Sequence, residues 1–156
     1  MTASVRRNAP GDLDAIDLEV TYPYPVERVW RALTDPRALA AWLMPNDFAA
    51  RVGHEFTFRS DPVPGWDGVV HCRVLACEPP RRLVYSWHGV TDLPETTVSF
   101  QLDPVAEGTR LRLLHSGFAA DPALGPIRDI LAGGWSSRLL AVTLPDLLGR
   151  LAAEDH

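Results

Sequence analysis

The sequence predicts an α+β domain: a curved antiparallel sheet of about six strands, two short helices, and a long C-terminal helix laid across the sheet. Three observations predict it. Apolar and polar residues alternate in successive short segments separated by turn residues, the pattern of strands that pair with their sequence neighbours. Two short stretches of helical period follow the first such segment, and a much longer one ends the chain. The 156 residues, 46% of them hydrophobic, are enough for one sizeable core and too few for two comfortable ones.

Residues 1–12 are polar and contain Pro10-Gly11, which suggests a flexible tail before a domain spanning 13–153. Ile16, Leu18 and Val20 alternate with Asp17 and Glu19 as a strand that stops at Tyr22-Pro23. Pro25 opens a helix, where its missing N–H costs nothing, and Val26, Val29, Trp30 and Leu33 share one face of it. Asp35-Pro36 caps and starts a second helix with Leu39, Trp42 and Leu43 on its apolar side, ended by Pro45-Asn46-Asp47. His54, Phe56 and Phe58 then read as a strand, and Asp61–Gly68 as a loop. Val69–Cys77 is a strand broken by Pro79-Pro80, since prolines cannot donate to a ladder. Leu83, Tyr85 and Trp87, then Val98, Phe100 and Leu102, then Thr109, Leu111, Leu113 and His115 each fall on one face of further strands. Asp121-Pro122 begins the last helix, whose stripe runs through Ile127, Leu131, Trp135 and Leu139. Pro145 is expected to kink it.

Composition excludes several classes. The net charge of -5 offers nothing to nucleic acid or anionic lipid, and all 15 basic residues are Arg. No segment approaches the ~20 apolar residues of a membrane span. Arg6 and Arg7 have no apolar run behind them, so no signal peptide is expected. The odd offset of Cys72 and Cys77 in one strand puts them on opposite faces, unsuited to a disulfide, and free thiols point to a cytoplasmic location. No third Cys completes a metal site, and no nucleophile elbow, phosphate loop or dinucleotide fingerprint is present, so no cofactor is expected.

Four segments in order carry a resemblance. They are Pro25-Val26-Glu27-Arg28-Val29-Trp30-Arg31-Ala32-Leu33-Thr34-Asp35-Pro36, then Glu78-Pro79-Pro80-Arg81-Arg82-Leu83 with Trp87. Thr109-x-Leu111-x-Leu113-x-His115-x-Gly117-Phe118 follows, and Gly134-Trp135 with Leu139 comes last. Together they resemble the SRPBCC superfamily, in its activator of heat-shock-protein-90 ATPase-like branch, over roughly residues 13–153. The resemblance implies the START-like helix-grip fold and a ligand cavity for lipids, steroids or polyketides. Some members are cyclases and others contact chaperones.

A bent sheet gripped by one helix leaves a hollow, and a ligand site there needs at least ~300 Å³. Its expected lining is aromatic: Trp42, Phe56, Phe58, Tyr85, Trp87, Phe100 and Trp135, with Leu113, Ile127 and Leu131. Plain core packing is the competing role for each. His54 and His115 share the inward parity and could fix a polar group on the ligand. His71 and Arg73 would do the same if their face is the inner one. Gly133-Gly134 weakens the helix, which implies close packing on the sheet or room for a ligand, with close packing the simpler account.

The leading functional reading is a binder of a small hydrophobic or aromatic molecule without evident catalysis. A cyclase- or hydrolase-type enzyme would need two of His115, His71 and Tyr85 to converge. An interaction module, as a homodimer at the sheet edge or Trp66 loop, or against a chaperone, would need a contiguous exposed apolar patch.

Overall fold

A computed structural model describes residues 3–8 and 13–154. Seven strands form one antiparallel sheet in the order β1-β2-β7-β6-β5-β4-β3. They are β1 (Arg6–Arg7), β2 (Ala15–Tyr22), β3 (Glu55–Arg59), β4 (Val69–Glu78), β5 (Arg82–Trp87), β6 (Thr96–Val105) and β7 (Gly108–Ser116). Helices α1 (Val26–Thr34) and α2 (Pro36–Trp42) follow β2, as the helical periods indicate. Asp35 accepts from the Arg37 N–H at 3.0 Å, so the Asp-Pro pair caps α2 as expected.

The seventh strand is β1, which lies in the stretch expected to be a flexible tail. Arg6 and Arg7 pair with Glu19 and Leu18, and the Arg6 guanidinium meets the Glu19 carboxylate at 2.8 Å. Ala3 and Val5 pack against the core. The rest of that stretch lies partly outside the described residues.

The alternation read from the sequence holds along β2, β3, β6 and β7, whereas β5 is buried on both faces from Leu83 to Trp87. Ile16, Leu18, Val20, Phe56, Phe58, Leu83, Tyr85, Trp87, Val98, Phe100, Leu102, Leu111 and Leu113 are all buried. The β6–β7 hairpin turns on Gly108, whose φ of +142° and close approach to the backbone of Tyr22 and Tyr24 leave no place for a Cβ.

Parity fails in β4. A bulge between Val74 and Ala76 puts an extra residue in the strand: Val74 faces Tyr85, yet Cys77 faces Leu83. Both partners point inward, so Cys72 and Cys77 share the inner face instead of opposing ones. Both are free thiols. The Ser86 hydroxyl accepts the Arg73 N–H at 2.9 Å beside the irregularity.

The C-terminal helix is one right-handed path in three parts: α3 (Leu124–Gly133), a π-helical stretch (Gly134–Thr143) and α4 (Leu144–Glu154). Backbone angles stay helical at both junctions, with φ/ψ of -62°/-48° at Gly134 and -67°/-49° at Leu144. Pro145 was expected to kink this helix; the disturbance is instead taken up as widened turns. The Leu144 N–H reaches the carbonyl of Leu139, five residues back. Proline offers no N–H to the carbonyl of Leu140 in π spacing or of Ala141 in α spacing. Those two oxygens are served from elsewhere: the Tyr22 hydroxyl donates to Leu140 at 2.6 Å, and the Ala3 N–H to Ala141 at 2.8 Å. The first and last parts of the chain thus complete each other's backbone bonding.

Candidate functional site

The expected hollow beneath the helix is filled. Trp42, Trp135, Tyr85, Phe58 and Phe100 are fully buried there, and their rings pack in tilted and edge-on pairs. Trp135 lies 5.8 Å from Trp87 and 6.0 Å from Phe100 between centroids. Leu113 completes the floor. What remains is a cleft of about 30 Å³ between the Gly89–Thr96 segment and α3, lined by Trp87, Leu93, Phe118, Leu124, Ile127 and Leu131. Interdigitated indoles and phenyls occupy the volume that backbone curvature alone would have left open.

The roof of this cleft is lightly held. Within α3 only Leu124 and Ala132 are fully buried, Ile127 and Leu131 are half-buried, and Ile130 is 74% exposed. A Cβ on Gly133 or Gly134 would meet nothing within 4 Å. The glycine pair therefore does not serve close packing on the sheet. It marks the junction between α3 and the π stretch, where two residues of low helix propensity leave the backbone easiest to bend.

Behind the cleft, His115 anchors a closed chain of hydrogen bonds. The Trp135 indole N–H donates to His115 Nδ1 at 3.2 Å, which leaves the imidazole proton on Nε2 to donate to Thr96 Oγ1 at 2.7 Å. That hydroxyl donates to the Trp87 carbonyl at 3.2 Å. Burial with no charged partner holds the His115 pKa down at about 3. The imidazole is neutral, fully engaged and structural. Thr96 escaped the sequence reading, although an inward-parity hydroxyl one place ahead of the Val98–Phe100–Leu102 stripe was the available signal.

Tyr85 differs. Its side chain is completely buried, 5.3 Å from Phe56 and 6.0 Å from both Phe58 and Phe100, and its hydroxyl has no hydrogen-bond partner in the protein. Desolvation raises its pKa well above the ordinary phenol value, so it is a neutral O–H donor.

His71 and Arg73 point away from the interior. They are exposed and line an open groove of about 450 Å³ on the opposite face of β3, β4 and β5, with Glu55, Thr57, Ser86 and His88. His71 is thus separated by the sheet from Tyr85 and His115; the latter two share the inner face, but His115 spends its nitrogens on Thr96 and Trp135 and the Tyr85 hydroxyl has no protein partner, so no hydrogen bond joins them. His54 stacks on Phe56 at 6.3 Å, its Nε2 bonded to the Asp47 carbonyl at 2.9 Å and its Nδ1 to Arg51 at 3.2 Å, so it secures the 47–54 connection. Trp66 packs against the core and donates to the Val69 carbonyl at 3.3 Å. The exposed large apolar residues, Leu13, Val52, Val63, Leu75 and Ile130, lie on separate segments. Among the described residues no group of three or more His, Cys, Asp or Glu is placed to hold a metal, and no helix is long and apolar enough to cross a membrane.

An antiparallel sheet gripping a C-terminal helix over an aromatic interior defines a helix-grip domain. The chain belongs to the family described as activator of Hsp90 ATPase homolog 1-like protein, whose model matches residues 23–142. Among solved structures it is similar to MLL2253 from Mesorhizobium loti, at 34% identity over 91% of this chain and 98% of that one, with a TM-score of 0.74. It is also similar to CalU16 from Micromonospora echinospora, at 25% identity over 99% and 88% of the two chains, TM-score 0.67. DynU16, a protein of the dynemicin biosynthetic locus, shares 27% identity over 91% of this chain and 48% of its own, TM-score 0.67. No curated protein matches.

Proposed function

We propose that the chain binds a small hydrophobic or aromatic molecule, of lipid, steroid or polyketide type, between the sheet and the C-terminal helix, and that the ligand enters by lifting α3. The carrying observation is the lightly held α3 over an apolar cleft, followed by a glycine pair with open space where side chains would stand. The interior beyond the cleft is aromatic, and among the described residues no charged side chain is buried in it: its polar side chains include Thr96, Thr109 and the neutral His115, while Ser86 faces the outer groove. Such a surface favours an apolar guest over an ionic one. The similarity to a protein of the dynemicin biosynthetic locus supports a guest that is the product or intermediate of a biosynthetic route. No chemical step is part of this reading, and a cytoplasmic setting accords with two free thiols.

Native mass spectrometry and thermal shift against a panel of fatty acids, sterols and aromatic polyketides test it. The expected result is retained mass and a Tm that climbs with concentration for one class. No retained ligand and no shift across the panel would refute the proposal.

A further inference from the structure

We infer that Tyr85 is the polar anchor of the ligand site, and that the ligand is a neutral aromatic ketone or quinone whose oxygen accepts a hydrogen bond from the Tyr85 hydroxyl. The inference rests on the binding reading above and gives its ligand a chemistry. Tyr85 and Trp87 stand two residues apart on the same face of β5, so Tyr85 lies one row deeper than the indole that lines the cleft. Phe58 bridges them, 5.7 Å from Trp87 and 6.0 Å from Tyr85. A planar molecule entering beneath α3 reaches Tyr85 by displacing the Trp87 and Phe58 rings.

The other polar groups of the interior are already committed. His115, Thr96, Trp135 and the Trp87 carbonyl close their own chain. The Trp42 indole donates to the Ala32 carbonyl at 2.8 Å, and the Tyr22 hydroxyl to Leu140. Against that background a completely buried hydroxyl without a protein partner is the exception. This phenol has no internal hydrogen bond to break before it donates to an incoming oxygen. The surroundings also set the charge: no carboxylate or guanidinium is fully buried among the described residues, so an anionic ligand would go uncompensated. Phe56, Phe58 and Phe100 around the ring suit a flat aromatic body.

The test uses the whole chain, wild type and Tyr85→Phe, with 2-acetylnaphthalene and its carbonyl-free analogue 2-isopropylnaphthalene as probes, titrated by calorimetry. The ketone is expected to bind the wild type more tightly, Tyr85→Phe to weaken it about tenfold, and the hydrocarbon to be indifferent to the substitution. Without ligand, Tyr85→Phe should melt at or above the wild-type temperature, because no internal bond is lost. Equal loss for both probes, or none for either, overturns the anchor and leaves the binding reading standing. A variant that melts lower or fails to fold shows that the hydroxyl has an internal partner and also overturns the anchor. Failure of both probes to bind the wild type defeats the binding reading and the anchor with it.

Discussion

A neutral imidazole with both ring nitrogens engaged ties β7 to the C-terminal helix and to the start of β6. The ordinary histidine value is 6.5 and that of His115 about 3, so between those values the unfolded chain takes up a proton that the folded chain refuses. Its contribution to stability is complete above pH ~6.5 and declines as the pH falls toward 3, by up to about 1.4 kcal/mol per unit. Urea unfolding of the wild type between pH 4 and 7 should show this decline, and His115→Gln, which keeps a donor and an acceptor, should flatten it. The Tyr22 bond is a second residue-scale test. Tyr22→Phe leaves the Leu140 carbonyl buried and unpaired, at an expected cost of about 1–2 kcal/mol in urea unfolding. At this scale the sequence was readable wherever side chains alternate regularly: the inward set of Phe56, Phe58, Tyr85, Trp87 and Phe100 follows from period two alone. It was unreadable at Cys77, because a bulge is a decision of strand pairing and leaves no mark in the residue pattern.

Among the elements, the C-terminal helix combines a lightly packed first third with a firmly packed last third. Leu144, Leu147, Leu148 and Leu151 are buried in α4, whereas α3 buries two side chains. The apolar stripe announced the helix but not its π register, which depends on bonding partners for Leu140 and Ala141 far away in sequence. Gly133 and Gly134 were legible as a weakness; the open space around them was not. Gly134→Ala should raise helix stability by about 1 kcal/mol without a clash and make α3 harder to lift. The expected outcome is a higher Tm with slower association of any ligand found in the panel, measured by stopped-flow tryptophan fluorescence. Unchanged association would place the entry elsewhere.

For the whole molecule, fold class followed from element order, since strands joined by short turns admit only an antiparallel sheet, and the resemblance agreed with it. The hollow was the expectation that failed: curvature can be anticipated from topology, but whether Trp135, Trp87 and Trp42 fill the space or line it depends on rotamers and packing. The bonds from Ala3 to Ala141 and from Tyr22 to Leu140 have a consequence for biosynthesis. While the last helix is still inside the ribosome, the inner face of the nascent sheet lacks the buried side chains of that helix and has no route to closure. A chain ending at Gly133, which lacks both acceptor carbonyls and α4, should therefore show no cooperative melt by circular dichroism. In the cell the domain would fold only once α4 has emerged, exposed to holdases until then.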